Sequence, residues 1–333
     1  VWLNTAAMRQ SGIDADTPDP AGGRLIRDAS GRPTGVLIDE AMALVHTPEA
    51  TPEDVRRWIV QAAERMAEAG LTGAHAMGVS DTNLAAYTEL ARTDALPVRI
   101  WAYVEPESDA AATLMQSGPW TTGKLTVMGV KAFADGALGS RGAWLTDEYS
   151  DEPGHHGTAI HTPEQIERWA TALLAQNAGM AVHAIGDRAV HETIEAFAAA
   201  RRAHPDSTGV LRVEHAQVLR PEDVQTLVDN RIVASVQPTH ATSDMPWAED
   251  RVGSERITWA YRWRSLLDAD VTVIFTATSA DGEDTMSWLL GVPEAMNAEE
   301  LMGPLQSAVA QDLGKDEFIQ RFGPKSIDVR SED

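Results

Sequence analysis

The chain has 333 residues, 43% of them hydrophobic, and a formal charge of -23 from 50 acidic and 27 basic residues. That length and apolar content suit one large α/β barrel or two ordinary domains and argue against disorder. A surface this acidic repels phosphate backbones and so argues against nucleic acid, no apolar run reaches membrane-spanning length, and the lack of Cys excludes disulfides and thiolate ligands. With no signal-like start a cytoplasmic chain is favoured, and the opening Val1-Trp2-Leu3-Asn4 without Met reads as a processed or truncated beginning.

Residues 1–50 read as an irregular N-terminal insertion, with turn-rich stretches at Asp16–Gly23 and Ser30–Gly35. Thr51-Pro52-Glu53-Asp54 is a helix start, with a Thr cap, Pro at the first position and acids behind it, and Gly70 ends that helix. Strand-like runs follow at Leu71–His75, Val98–Val104, Gly129–Gly136, Met180–Asp187, Leu211–Ala216, Ile232–Val236 and Val271–Phe275. Helical stretches separate most of them, opened for example by Thr162-Pro163-Glu164-Gln165 and Arg220-Pro221-Glu222-Asp223. Near-continuous apolar strands alternating with helices predict a parallel sheet with helices outside. A barrel over 51–290 is preferred to a doubly wound sheet because ligand-type residues recur on strand after strand, and 291–333 reads as an atypical helical tail.

Three of the strand runs carry a residue suited to metal binding, Lys131, His183 and His215. A parallel barrel gathers the carboxyl ends of its strands at one mouth, so these side chains converge there. Two imidazoles and an oxygen ligand suit zinc or a similar divalent ion. A buried ammonium at Lys131 needs a partner, which Asp135 or Glu214 could supply. The alternative is a lysine carboxylated by carbon dioxide, which turns the cation into an oxygen ligand. His240, just past the Ile232–Val236 strand, sits where a substrate contact is plausible, and Arg141 and Asp187 follow ligand strands and could orient substrate or ligands. His155 and His156 read as solvated, and His46, His75, His161, His191 and His204 as surface or capping residues. Trp247, Trp259 and Trp263 read as helix packing, with Trp247 a possible pocket wall.

The runs Lys131–Ala143, Val182–Ala189, Val213–Gln217 and Ser235–Met245, with the earlier Thr17–Arg24 and Pro33–Leu37, resemble amidohydrolase family 3 of the amidohydrolase superfamily, in order over residues 1 to about 275. The resemblance implies a metal-dependent (β/α)₈ TIM-like barrel with a flanking β-domain that hydrolyses amide-type C–N bonds in small molecules. It implies that Lys131 is the bridging ligand of the fourth barrel strand, and that His183 and His215 are the ligands of the fifth and sixth. The family's first-strand His-x-His pair occurs nowhere in this chain. The expectation is therefore a barrel lacking its first strand and most of its β-domain, with open edges that invite homo-oligomers. Where the family's eighth strand ends in Gly-Ser-Asp, this chain has Thr276-Ala277-Thr278-Ser279-Ala280-Asp281. Strict register places Thr278 at the general-base position, and a three-residue slip places Asp281 there. The alternatives are a catalytically inactive amidohydrolase-like barrel and a small-molecule-binding module.

Overall fold

The structure, a computed structural model, describes residues 1–20, 23–46 and 50–276. The chain divides into two compact units, one spanning Val1–Val55 and the other beginning at Arg56.

The stretch read as irregular carries regular elements. Helix α1 (Thr5–Gln10) starts at Asn4, whose side chain accepts from the Ala7 N–H. Strands β1 (Gly23–Arg27) and β2 (Pro33–Asp39) pair antiparallel, and Asp28 closes their turn by accepting from the N–H groups of Ser30 and Arg32. Ile13, Leu25, Leu37 and Ala41 form the small core of this unit. The Gly and Pro residues that suggest a loop in the sequence are the punctuation of a short hairpin.

Helix α2 (Pro52–Glu68) begins at the predicted cap: Asp54 accepts from the Thr51 N–H and hydroxyl, and Thr51 accepts from the Asp54 N–H. Strand and helix then alternate as β3 (Gly73–Val79), α3 (Asp81–Arg92), β4 (Arg99–Val104), α4 (Asp109–Ser117), β5 (Trp120–Thr122), β6 (Leu125–Phe133), α5 (Pro163–Leu174), β7 (Gly179–Ala184), α6 (Asp187–Ala203) and β8 (Leu211–His215). They continue as α7 (Asp223–Asp229), β9 (Ile232–Val236), α8 (Pro238–Asp244), α9 (Ala248–Arg256), α10 (Trp263–Asp268) and β10 (Val273–Phe275). Seven strands, β3, β4, β6, β7, β8, β9 and β10, pair in parallel and in chain order. Each predicted strand run contributes one of them. The short β5, which the sequence reading did not include, adds an antiparallel partner to β6.

The two faces of this sheet differ in chemistry. Ile100, Ala102, Val104, Val127, Val130, Ala132, Met180, Val182, Val213 and Ala234 pack with helix residues such as Leu114, Leu173, Phe197 and Leu227 in the main core. The alternate positions carry His75, Tyr103, Lys131, His183, Arg212, Glu214 and Ser235. Arg212 on β8 bonds His75 on β3 at 2.8 Å. In a flat sheet those strands would lie four spacings apart, about 19 Å. Two side chains cannot span that, so the sheet curls and its polar face becomes an interior. Among the described residues β3 and β10 end the path, and no strand joins them. No helix of the described residues is long and apolar enough to cross a membrane.

Candidate functional site

Lys131 stands on the inner face of β6, two residues below Phe133, whose register partner on β7 is His183. It is 5% exposed. Its Nζ donates to the Ala132 carbonyl at 2.9 Å and lies 3.6 Å from the centre of the Phe133 ring. Neither Asp135 nor Glu214 forms an ion pair with it, because Glu214 is taken by Arg212 and Asp135 by the backbone. Burial lowers the ammonium pKa to about 7, against the pull of Glu214. Lys131 is therefore poised to be a neutral amine near physiological pH.

His183 and His215 face one another, with ring centres 4.6 Å apart. His183 follows the strand alternation, but His215 does not. On β8, Arg212 and Glu214 point inward, so His215 by parity would point to the helices. Left-handed backbone at His215 (φ 75°) and Ala216 (φ 42°) breaks the alternation and brings the ring against His183. His183 Nε2 lies 3.2 Å from the Gly136 carbonyl, an acceptor only, so in the neutral ring that nitrogen carries the proton and Nδ1 is open. Burial, with Lys131 second, lowers His183 to about 4. Burial, with His183 second, holds His215 well below the usual imidazole range. Both rings are neutral around pH 7, the state in which imidazole binds metals. His240, at the start of α8, stacks 5.5 Å from His215.

Deeper inside, Arg212 ties four strands together. It reaches His75 on β3, lies over the Tyr103 ring of β4 at 5.5 Å, bonds Ser235 of β9 at 3.1 Å and approaches Glu214 on its own strand at 2.8 Å. The ion pair is close but poorly aligned: Glu214 Oε1 and Arg212 Nε make no hydrogen bond. His75, read as a surface or capping residue, is exposed, on the face of β3 that Arg212 reaches. Partial desolvation and the neighbouring guanidinium lower its pKa.

A roof of loops is built beside the mouth. Asp135, fully buried, accepts from the N–H groups of Trp144, Ile185 and Gly186. Burial raises its carboxyl to about 7 against those three donors. Leu138, Ala143, Leu145 and Tyr149 pack with Ile185, Val218, Val252 and Ala260 in a second core, against which Trp247 and Trp259 lie. Arg141 pairs with Asp151 at 2.8 Å and with Glu152 at 3.3 Å, and Asp151 also binds Arg251. Asp187 accepts from the Thr146 N–H and hydroxyl and from Arg220. Both predicted orienting residues therefore hold roof loops together. His155, expected to be solvated, bonds the Arg141 carbonyl at 2.8 Å and stacks on Tyr149.

Thr278 and Asp281, the two candidates for the eighth-strand role, lie outside the described residues. Among the described residues, no group of three or more His, Cys, Asp or Glu side chains is arranged to hold a metal ion. The donors present fit such an ion as a partial set: two neutral imidazoles at contact distance, with Lys131 beside them. Two contributors were not foreseen, Arg212 and Gln237. Both follow the inward parity of their strands, Arg212 with Glu214 and Gln237 with Ser235, and that period of two is the signal that would have found them.

A curled parallel sheet in chain order with helices outside defines a TIM-like α/β barrel fold, here as a half-barrel among the described residues. The amidohydrolase family model matches residues 1–288. The chain is 33% identical over 318 residues to YtcJ of Bacillus subtilis (strain 168), a protein named as an amidohydrolase, covering 91% of this chain and 58% of that one. It is 26% identical over 293 residues to an N-substituted formamide deformylase of Arthrobacter pascens, covering 82% of this chain and 52% of that one. Its fold matches the crystal structure of an uncharacterized metal-dependent hydrolase from Pyrococcus horikoshii OT3 with a TM-score of 0.70 at 28% identity, over 95% of this chain and 62% of that one. The chain belongs to the amidohydrolase family. It spans between half and two thirds of the length of these relatives.

Proposed function

We propose that this chain presents half of an amidohydrolase metal centre, in which Lys131, His183 and His215 hold a divalent ion, zinc by the chemistry of the donors. The observation that carries the reading is the contact of two neutral histidine rings, 4.6 Å apart, one of them turned to the mouth by a left-handed backbone. His183 would bind through Nδ1, the nitrogen that Gly136 leaves open. Lys131 would contribute as a carbamate, since its burial favours the neutral amine, the form that takes up carbon dioxide. When bound, such an ion supplies Lewis acidity towards a carbonyl and makes water a usable nucleophile.

The substrate class is a small-molecule amide. The half-exposed Phe133 ring offers it an apolar wall, and His240 a hydrogen-bonding group beside His215. Arg141 and Asp187 bear on it by fixing the roof loops. Strict register leaves Thr278 at the general-base position, and Asp281 would take the proton from water and pass it to the leaving nitrogen only under a three-residue slip. Among the described residues the outer sides of β3 and β10 have no strand partner, and this suits homo-oligomers.

This chain is expected to turn N-acyl substrates over weakly or not at all with zinc or manganese supplied. A missing general base alone lowers rates by roughly 10²–10⁴-fold, and no His-x-His pair is present. Steady-state assays with and without metal test this. Robust turnover lost in a His183→Ala variant would overturn the low-activity expectation while supporting the metal centre. The second reading, an inactive barrel or small-molecule-binding module, rests on the same missing pair, and metal binding without turnover would favour it.

A further inference from the structure

His215 can serve the proposed centre only if the right nitrogen is open, and Gln237 controls which one that is. Gln237 is 2% exposed and sits one residue past β9, on the inward parity of Ser235. Its Oε1 lies 2.6 Å from His215 Nδ1. Its Nε2 lies 2.6 Å from the Thr276 hydroxyl and 3.5 Å from the Ser235 carbonyl. An amide flipped by 180° would swap these atoms, and the Thr276 hydroxyl would accept either arrangement. The Ser235 carbonyl would not. It cannot donate, so the amide group turned towards it is the NH₂, and the oxygen is left facing the imidazole.

We infer that Gln237 is a positioning residue that selects the Nδ1–H tautomer of His215 and leaves Nε2 as the open lone pair. An amide oxygen only accepts, so the imidazole nitrogen 2.6 Å away carries the hydrogen. This tautomer is the complement of that at His183, where the Gly136 carbonyl keeps the proton on Nε2. The two rings thus offer different nitrogens. A neutral histidine side chain free in water favours the Nε2–H form, so the protein must impose the other one here. A purely structural role for Gln237, tying β9 to β10 through Thr276, would leave the tautomer unaffected.

The inference rests on the metal-centre reading for its consequence but not for its test. The metal-free full chain, with ¹⁵N-labelled histidine, is examined by NMR at pH 7.5, and His215 is assigned by comparison with His215→Asn. The wild-type ring is expected to show a protonated Nδ1 and an unprotonated Nε2. Gln237→Leu should shift the ring towards Nε2–H, whereas Gln237→Glu, which also accepts, should keep Nδ1–H. Thr276→Val, which cuts the tie to β10, should keep it too. Zinc affinity, read by competition with a chromogenic chelator, should fall by roughly 10–100-fold in Gln237→Leu and recover in Gln237→Glu. A wild-type ring protonated on Nε2, or a tautomer unchanged in Gln237→Leu, overturns the inference. If Gln237→Leu does not fold, the wild-type and Gln237→Glu spectra still decide it. Correct tautomers with no zinc bound by any variant would support the inference and sink the metal-centre reading.

Discussion

A histidine held at φ 75° carries strain that a glycine there would not, and the surroundings that hold it have measurable worth. Beneath His215, the Arg212–Glu214 pair is almost wholly buried, with side chains 3% and 7% exposed. Removing one partner leaves an uncompensated buried charge, which typically costs about 3–5 kcal/mol. Arg212→Met is therefore expected to lower the urea-unfolding free energy by about that much, and the double variant with Glu214→Leu by less. An Arg212→Met chain as stable as the wild type would show that the pair is not holding the interior. At this scale the sequence was legible where a polar residue interrupts an apolar run, as at Lys131, His183 and His215. It was not legible at Arg212 or Gln237, because one polar residue at a strand end reads as the start of a loop. Whether that residue turns inward depends on strands distant in the chain.

The roof is an element-scale construction, and glycine makes it possible. Gly157 has φ +83°, and a Cβ added there would fall 1.9 Å from the Ala143 carbonyl oxygen. Neither the conformation nor the contact tolerates a side chain. Gly157→Ala is expected to open the 137–160 loop, so that limited proteolysis cuts there faster while the parallel sheet keeps its circular dichroism. An unchanged digestion pattern would contradict this packing. The seven parallel strands were readable because each is a near-continuous apolar run bounded by breakers. The roof was not, since its core gathers Leu138, Leu145, Tyr149, Ile185, Val218 and Val252 from separate segments with no common period. The β1–β2 hairpin was hidden by its own Gly and Pro residues, and β5 by its three-residue length.

Over the whole molecule, burying neutral imidazoles makes stability depend on pH. His183 is lowered from 6.5 to about 4, so in that window the unfolded chain binds a proton that the folded chain does not. Its contribution is complete above about 6.5 and is lost as pH falls towards 4. Asp135, raised from 3.8 to about 7, works oppositely: its contribution is complete below 3.8 and is lost as pH rises to 7. Comparing the metal-free wild type with His183→Asn isolates the first effect. Between pH 7 and pH 4 the wild type should lose more unfolding free energy than the variant, by on the order of 3 kcal/mol. Parallel pH profiles would mean that His183 is not buried in its neutral form.

The family and the parallel α/β fold follow from motifs in the sequence, and the histidine contact follows from the left-handed turn that ends β8 beside β7. The central claim is that Lys131, His183 and His215 together hold a metal ion. It is tested most directly by measuring the zinc content of the full chain after equilibration with zinc and gel filtration, beside a His183→Ala/His215→Ala double variant. The chain has no Cys to offer thiolate sites that would mask the result. The account predicts about one zinc per wild-type chain, the occupancy of a single three-ligand site, and its loss in the double variant. No zinc in the wild type, or equal zinc in both, would contradict it.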